Sequence, residues 1–218
     1  MYHAGPSVRG QNVSVSETAA PPADPRTPPA GPGVADPGAL GLAGFAMTTF
    51  VLSVFNAGLL NESLENVVLP LALFYGGLAQ LLAGMWEFRR SNAFAATAFS
   101  SFGAFWLAFA FYISQVAPHL DPAHANQATG LFLLAWTIFT AYMIIAALRT
   151  TGAVLAVFVA LTITFLVLTI GAFAESTGMD KLGGWLGLVT AVVAWYASCA
   201  TVTNATWKRD VLPVWPLS

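Results

Sequence analysis

Six long apolar runs determine what this chain can fold into. Each run has the length of helix, about 20 residues, that crosses the hydrocarbon core of a bilayer. The runs cover residues 40–60, 67–87, 94–117, 129–148, 152–174 and 183–204. Only 8% of the 218 residues are charged, whereas a soluble domain needs about 25% to keep its surface in water. The pattern predicts an all-α, polytopic membrane protein with six transmembrane helices.

The segments outside the runs differ from them in composition. Residues 1–36 are rich in Pro, Ala, Gly and Ser and show no apolar periodicity, so they cannot bury enough surface to offset the entropy of ordering. We predict a disordered cytoplasmic tail over 1–36, a six-helix transmembrane domain over 37–207 and a cytoplasmic C-terminal tail over 208–218. Because residues 1–35 contain no apolar stretch of the signal-peptide kind, we expect the first helix to act as both signal and anchor.

The basic residues predict the orientation. Seven of the eight Lys and Arg residues lie in the N-terminal tail, in the breaks after the second and fourth runs, or after the sixth run. The opposite breaks carry mainly acidic residues and the single remaining base, Lys181. By the positive-inside rule the basic side is cytoplasmic. We therefore expect a protein of the plasma (inner) membrane with both termini in the cytoplasm.

Two helix faces mix polar or small residues into apolar surroundings. Polar groups inside membrane spans are rare, and they serve either to join helices or to line a pathway for solutes. The spacing alone favours neither interpretation. Glu87 could likewise serve the pathway, or it could simply pair with the arginines that follow it. The two faces consist of Phe45, Thr48, Leu52 and Asn56 on the first helix, and Gly77, Gln80, Gly84 and Glu87 on the second.

Several function classes are excluded or disfavoured by missing residues. No G-x-x-x-x-G-K-[ST] sequence is present, which excludes nucleotide-driven pumping by this chain. The apolar runs contain no lysine for a Schiff base and no histidine pair for a metal. We expect no metal, no cofactor, no catalytic residue and no nucleic-acid partner. A channel or facilitator for a small solute fits what remains.

Residues 74–109 carry a specific motif. They read FYGGLAQLLAGMWEFRRSNAFAATAFSSFGAFWLAF, which closely resembles the signature F-Y-G-G-x-x-Q-x-x-A-G-x-x-E followed by N-x-F-x-x-T-A-F-x-S-[YF]-G-x-F-W-L of the acetate uptake transporter family, also called the succinate–acetate permease family. The resemblance extends over about residues 36–213. Where the family has N-P-A-P-L-G-L before its first helix, this chain has DPGALGL, with Asp36 for Asn and Ala39 for the second Pro. Phe102 occupies a position where many members have Tyr.

The resemblance implies a function and a set of site residues. Members are six-helix carriers or channels for acetate, some of which also take succinate, and they are not enzymes. They resemble acid-activated urea channels, with a pore in each protomer and hexameric assembly. By resemblance the pore narrows at Phe45, Phe102 and Leu161. The candidates for polar pore-lining residues are Thr48, Asn56, Gln80, Glu87 and Thr97.

Three functional hypotheses follow. The first is a transporter or channel for acetate and related small carboxylates. The second is a channel for a neutral solute such as urea or a short amide, and the third is a membrane scaffold or sensor that acts through its tail. For the first two, the expected environment is a lipid bilayer and the expected assembly is a homo-hexamer.

Overall fold

The fold is a bundle of long helices. The computed structural model describes Met1 and residues 33–217, so the predicted disorder of residues 2–32 lies outside the described part of the chain. Within that part, six helices are long and apolar enough to cross a membrane. The all-α, six-helix prediction is therefore confirmed. The helices are α1 (Gly38–Asn56), α2 (Glu62–Arg89), α3 (Ala93–His119), α4 (Ala125–Ala147), α5 (Gly152–Ala174) and α6 (Thr177–Trp207).

Local sequence signals set where the helices begin and end. The side-chain oxygens of Asn92 and Thr151 accept hydrogen bonds from the backbone N–H groups three residues on, at 3.2 Å in both cases. These caps start α3 and α5, because they satisfy N–H groups that have no partner within the helix. Glu175 and Lys208 adopt left-handed backbone conformations, with φ of 51° and 53°, and end α5 and α6.

The start of α6 differs from the sequence prediction. The helix begins at Thr177, whereas the apolar run begins at residue 183. The Ser176 hydroxyl caps the first turn by accepting from the N–H of Met179, and Asp180 lies in that turn. Hydroxyl caps and acidic residues stabilise a helix N-terminus, so polar residues can extend a helix beyond its apolar run.

The second helix is locally widened. Residues Phe74–Ala79 form a π-helical segment, an irregularity that often occurs at functional sites. Within it, a Cβ atom on Gly76 would lie 2.5 Å from Oγ1 of Thr48 on α1. Only glycine permits this approach of α1 and α2.

Close helix contacts depend on small residues. The α1 helix packs chiefly against α6, and α5 lies between α4 and α6. Ala46 on α1 and Ala194 on α6 are fully buried, as expected where helices associate by close van der Waals contact. On α2, Gly84 lies directly against the backbone and hydroxyl of Ser100 on α3. The glycines of the second helix thus join helices within the protomer.

Candidate functional site

A series of cavities runs through the bundle from the start of α1 to its end. At one end lies a cavity of about 400 Å³, here called the first vestibule, whose lining includes Asp36, Glu87, Asn92 and Thr151. At the other end, two adjoining cavities of about 260 and 370 Å³ share Asn56, Glu65 and Asp180. We call these two cavities together the second vestibule.

Between the vestibules the cavities narrow sharply. Two small cavities of about 20 and 40 Å³ both have Phe45 and Leu161 in their walls, and each has room for only a few water molecules. Phe102 borders the smaller of them. We call Phe45, Phe102 and Leu161 together the neck. Their exposed fractions are 3%, 3% and 4%, so the neck is enclosed within the protomer.

Aromatic contacts hold the neck in place. The ring centroids of Phe45 and Phe102 are 5.8 Å apart, with an angle of 55° between the rings. Phe102 also contacts Trp136 and Phe139 on α4 at centroid distances of 6.1 and 5.4 Å, and Phe158 on α5 at 6.1 Å. Such pairs contribute about 0.5–1.5 kcal/mol each beyond their buried area. Phe102 is therefore fixed by three helices.

Polar atoms lie on both sides of the neck. Gln80 is 1% exposed and lines the smaller cavity, and its Oε1 atom has no hydrogen-bond partner among the described residues. Thr49 and Trp106 line the other small cavity, and their Oγ1 and Nε1 atoms too lack partners in the described part of the chain. Buried polar groups normally find partners, since an unmade hydrogen bond costs about 1–3 kcal/mol. These three unpartnered groups therefore lie buried beside the neck.

Charged groups meet at the first vestibule. Nη1 of Arg90 lies 2.9 Å from Oδ1 of Asp36 and 3.4 Å from Oε2 of Glu87. Asp36 Oδ1 also accepts a hydrogen bond of 2.8 Å from the N–H of Gly38, which opens α1. The three side chains thus tie the segment before α1 to the end of α2.

The C-terminal segment completes the wall of the first vestibule. The N–H of Gly152 donates to the carbonyl of Trp215 at 2.7 Å, and the N–H of Leu217 donates to that of Thr150 at 3.0 Å. Asn204 binds the backbone of the same segment through both ends of its amide. Val214 thereby comes to line the vestibule. The segment is docked on the bundle at residues 211–217.

The structure brings most of the sequence-predicted site residues to these cavities. Phe45, Phe102 and Leu161 meet at the neck, and Gln80 lies beside it. Asn56 lies in the second vestibule and Glu87 in the first.

Two of the predicted residues lie elsewhere. Thr48 donates to the carbonyl of Gly44 at 2.9 Å and approaches that of Leu71 at 3.5 Å, so it joins α1 to α2 and lines none of the cavities described above. Thr97 is exposed on the outside of α3. The roles of the predicted residues in transport stay predictions.

Thr49, Trp106 and Asp36 are among the site residues that were not predicted. Thr49 lies one residue beyond the predicted Thr48, and Trp106 is a motif residue whose free N–H only the fold reveals. Asp36 stood out in the sequence only as a departure from a motif. A tryptophan within an apolar helix is a signal that sequence analysis can use to find such a site, because its N–H needs a partner when the side chain is buried.

The fold and the site are thus those of a helical membrane bundle whose cavities meet at an apolar neck. The chain belongs to the GPR1/FUN34/yaaH family, whose model matches residues 20–218.

Individual relatives agree with this assignment. Acetate permease A of Emericella nidulans is 40% identical over 83% of this chain and 65% of its own length, and ammonia transport outward protein 2 of Saccharomyces cerevisiae is 41% identical over 84% and 66%. The succinate-acetate/proton symporter SatP of Escherichia coli is 36% identical over 83% of this chain and 95% of its own length. The chain thus spans about two thirds of the length of the fungal relatives and nearly all of the bacterial one.

A solved structure extends the comparison to three dimensions. The bacterial acetate channel SatP superposes with a TM-score of 0.78 at 36% identity, over 84% of this chain and 99% of that one. Family membership and a multi-pass membrane fold are therefore established for this chain.

Proposed function

We propose that this protein conducts acetate and related small carboxylates across a membrane through the cavities inside each protomer. The observation that carries the proposal is the apolar neck with unpartnered polar groups on both of its sides. The names of the acetate-transporting relatives support the choice of solute.

Acetate matches the two kinds of surface along this path. Its methyl group suits the apolar ring of Phe45, Phe102 and Leu161, while its carboxylate needs hydrogen-bond donors as it loses water. Trp106 Nε1 and the Thr49 hydroxyl can donate on the side of the second vestibule, whereas the unpartnered atom of Gln80 on the other side, Oε1, is an acceptor. An apolar constriction impedes ions that keep their hydration shell. A small acid that sheds part of its shell can pass.

Affinity along this path should be modest. Among the described residues, the cations beside it lie at its ends, Arg90 at the first vestibule and Lys181 at the second. Arg90 is already paired with two carboxylates. A carboxylate at the neck therefore relies on neutral donors, which bind it more weakly than charged ones. Weak binding favours release and hence rapid passage.

The membrane arrangement is part of the proposal. We place the protein in a plasma (inner) membrane, and the distribution of basic residues supports both termini in the cytoplasm, so the first vestibule would open to the cytoplasm. A homo-hexamer is proposed on the family resemblance. The small residues Gly76, Gly77, Ala83 and Gly84 are buried inside the protomer, so they do not provide the surface between protomers.

Flux into liposomes tests the function. The purified protein should carry labelled acetate into liposomes faster than empty vesicles take it up, and propionate should compete while urea should not. Repeating the measurement with an imposed pH gradient asks whether protons accompany the anion. Flux of urea or ammonium without flux of acetate would contradict the proposal.

Mass measurement in mild detergent tests the hexamer, and a monomer alone would count against it.

A further inference from the structure

We propose that Asp36 is a specificity-determining residue that disfavours doubly charged carboxylates at the first vestibule. The inference rests on the proposed function and concerns the choice among carboxylates. It assigns a role to the charge that this chain carries just before α1.

The charges at the first vestibule do not balance. Asp36 and Glu87 both line the cavity, and the other described residues of its lining are neutral. Arg90 pairs with both carboxylates through the same nitrogen, Nη1. Within this cluster of three described side chains, two negative groups and one positive group leave a net charge of −1. A solute that crosses the bundle must pass this charge in either direction.

The two carboxylates differ in their exposure to solvent. The Glu87 side chain is 2% exposed, whereas the side chains of Asp36 and Arg90 are 40% and 31% exposed. Arg90 contacts both groups, Asp36 at 2.9 Å and Glu87 at 3.4 Å. Because Asp36 is the more exposed of the two carboxylates, an arriving anion meets the surplus negative charge of this cluster at Asp36.

The surplus charge acts more strongly on a dianion than on a monoanion. Near neutral pH acetate carries one negative charge and succinate carries two, so succinate feels twice the repulsion. Removing one negative charge should change the succinate-to-acetate ratio by the interaction of a single pair of charges. At about 6–10 Å in a half-solvated mouth, Coulomb's law makes this roughly a threefold to tenfold change. Salt should weaken the effect, because screening shortens the reach of exposed charges.

Asp36→Asn removes the charge while keeping the local geometry. An asparagine Oδ1 can still accept from the N–H of Gly38 and from Arg90, so the start of α1 and the contact with α2 are retained. Asp121→Asn is the matched control. Asp121 Oδ1 accepts from the N–H of Ala123, likewise two residues on, at 3.0 Å, and Asp121 lines none of the cavities described above. Asp36→Glu keeps the charge and serves as the conservative variant.

The experiment measures initial rates of labelled succinate and labelled acetate into liposomes at neutral pH and low salt, with the full chain. We expect the succinate-to-acetate ratio to rise about threefold to tenfold in Asp36→Asn and to stay at the unmodified value in Asp121→Asn and Asp36→Glu. Raising the salt concentration should raise the ratio in the unmodified protein and change it less in Asp36→Asn.

A purely structural ion pair would give a different result. In that case Asp36→Asn would lower stability and slow both fluxes together, and an unchanged ratio would overturn the inference. If Asp36→Asn does not fold, a ratio in the unmodified protein that is insensitive to salt would also overturn it. Absence of acetate flux in the unmodified protein would instead contradict the proposed function, so the two failures are distinguishable.

Discussion

Truncating Leu161 to alanine tests the neck most directly. The change shortens an isobutyl group to a methyl where two small cavities of about 20 and 40 Å³ meet. Buried Leu→Ala substitutions cost about 2–5 kcal/mol of stability. Leu161 borders a small cavity on two sides, so part of its side chain already faces space rather than packed neighbours. We expect a cost near the lower end, about 2 kcal/mol.

The effect on flux follows from the width of the opening. A tight apolar site discriminates against one added methylene by about 1–3 kcal/mol, which is about 10- to 200-fold. Merging the two cavities should remove much of this discrimination. We expect the propionate-to-acetate and lactate-to-acetate ratios of initial rates in liposomes to rise about tenfold.

The control and the contrary result are both defined by the structure. Leu166→Ala removes the same atoms on the same helix, but Leu166 is 45% exposed and lines none of the cavities described here. It should leave the ratios unchanged. If Leu161 only fills the core, all fluxes should fall together with the melting temperature. A folded Leu161→Ala protein with an unchanged lactate-to-acetate ratio would refute the neck.

Three further outcomes are expected. Phe102→Tyr adds a hydroxyl at the neck with little change in ring volume, so acetate flux should change in liposomes while the melting temperature shifts little; flux equal to the unmodified protein would count against a role for the position. Trp106→Phe removes the free indole N–H and should lower acetate flux several-fold, consistent with loss of one hydrogen bond worth about 1 kcal/mol, and an unaltered flux would show that Nε1 does not meet the solute. In a Cys199→Ser background, a membrane-impermeant thiol reagent should label a cysteine at Asp121 in intact cells and leave one at Arg209 unlabelled, whereas the reverse would overturn the orientation.

The overall architecture could be predicted from the sequence because membrane insertion imposes a simple physical rule. A helix of about 20 apolar residues satisfies its own backbone hydrogen bonds, so hydropathy and length suffice to find the spans. The run at 152–174 coincides with α5. At the start of α6 the hydropathy rule failed, since capping by Ser176 allowed polar residues to join the helix.

The site was less accessible to such reasoning. Phe45, Phe102 and Leu161 lie on three different helices, and only the resemblance to a family suggested that they meet. The sequence supplied Thr48 and Asn56 as polar candidates on the first helix; Asn56 does line a cavity, but the structure presents Thr49 to the neck and uses Thr48 against α2. Successive residues of a helix point about 100° apart, and a span that is apolar all round does not indicate which side faces a neighbour.

The sequence by itself determined the number of spans, the uneven distribution of basic charge and the family. The tertiary structure alone decided which side chains border the cavities, which polar atoms lack partners, and that Asp36 meets Arg90 across 2.9 Å. The physical reason is that spanning a bilayer depends on each helix separately. A pathway between helices depends on their rotation about their own axes, which is set by close contacts such as that of Gly76 with Thr48.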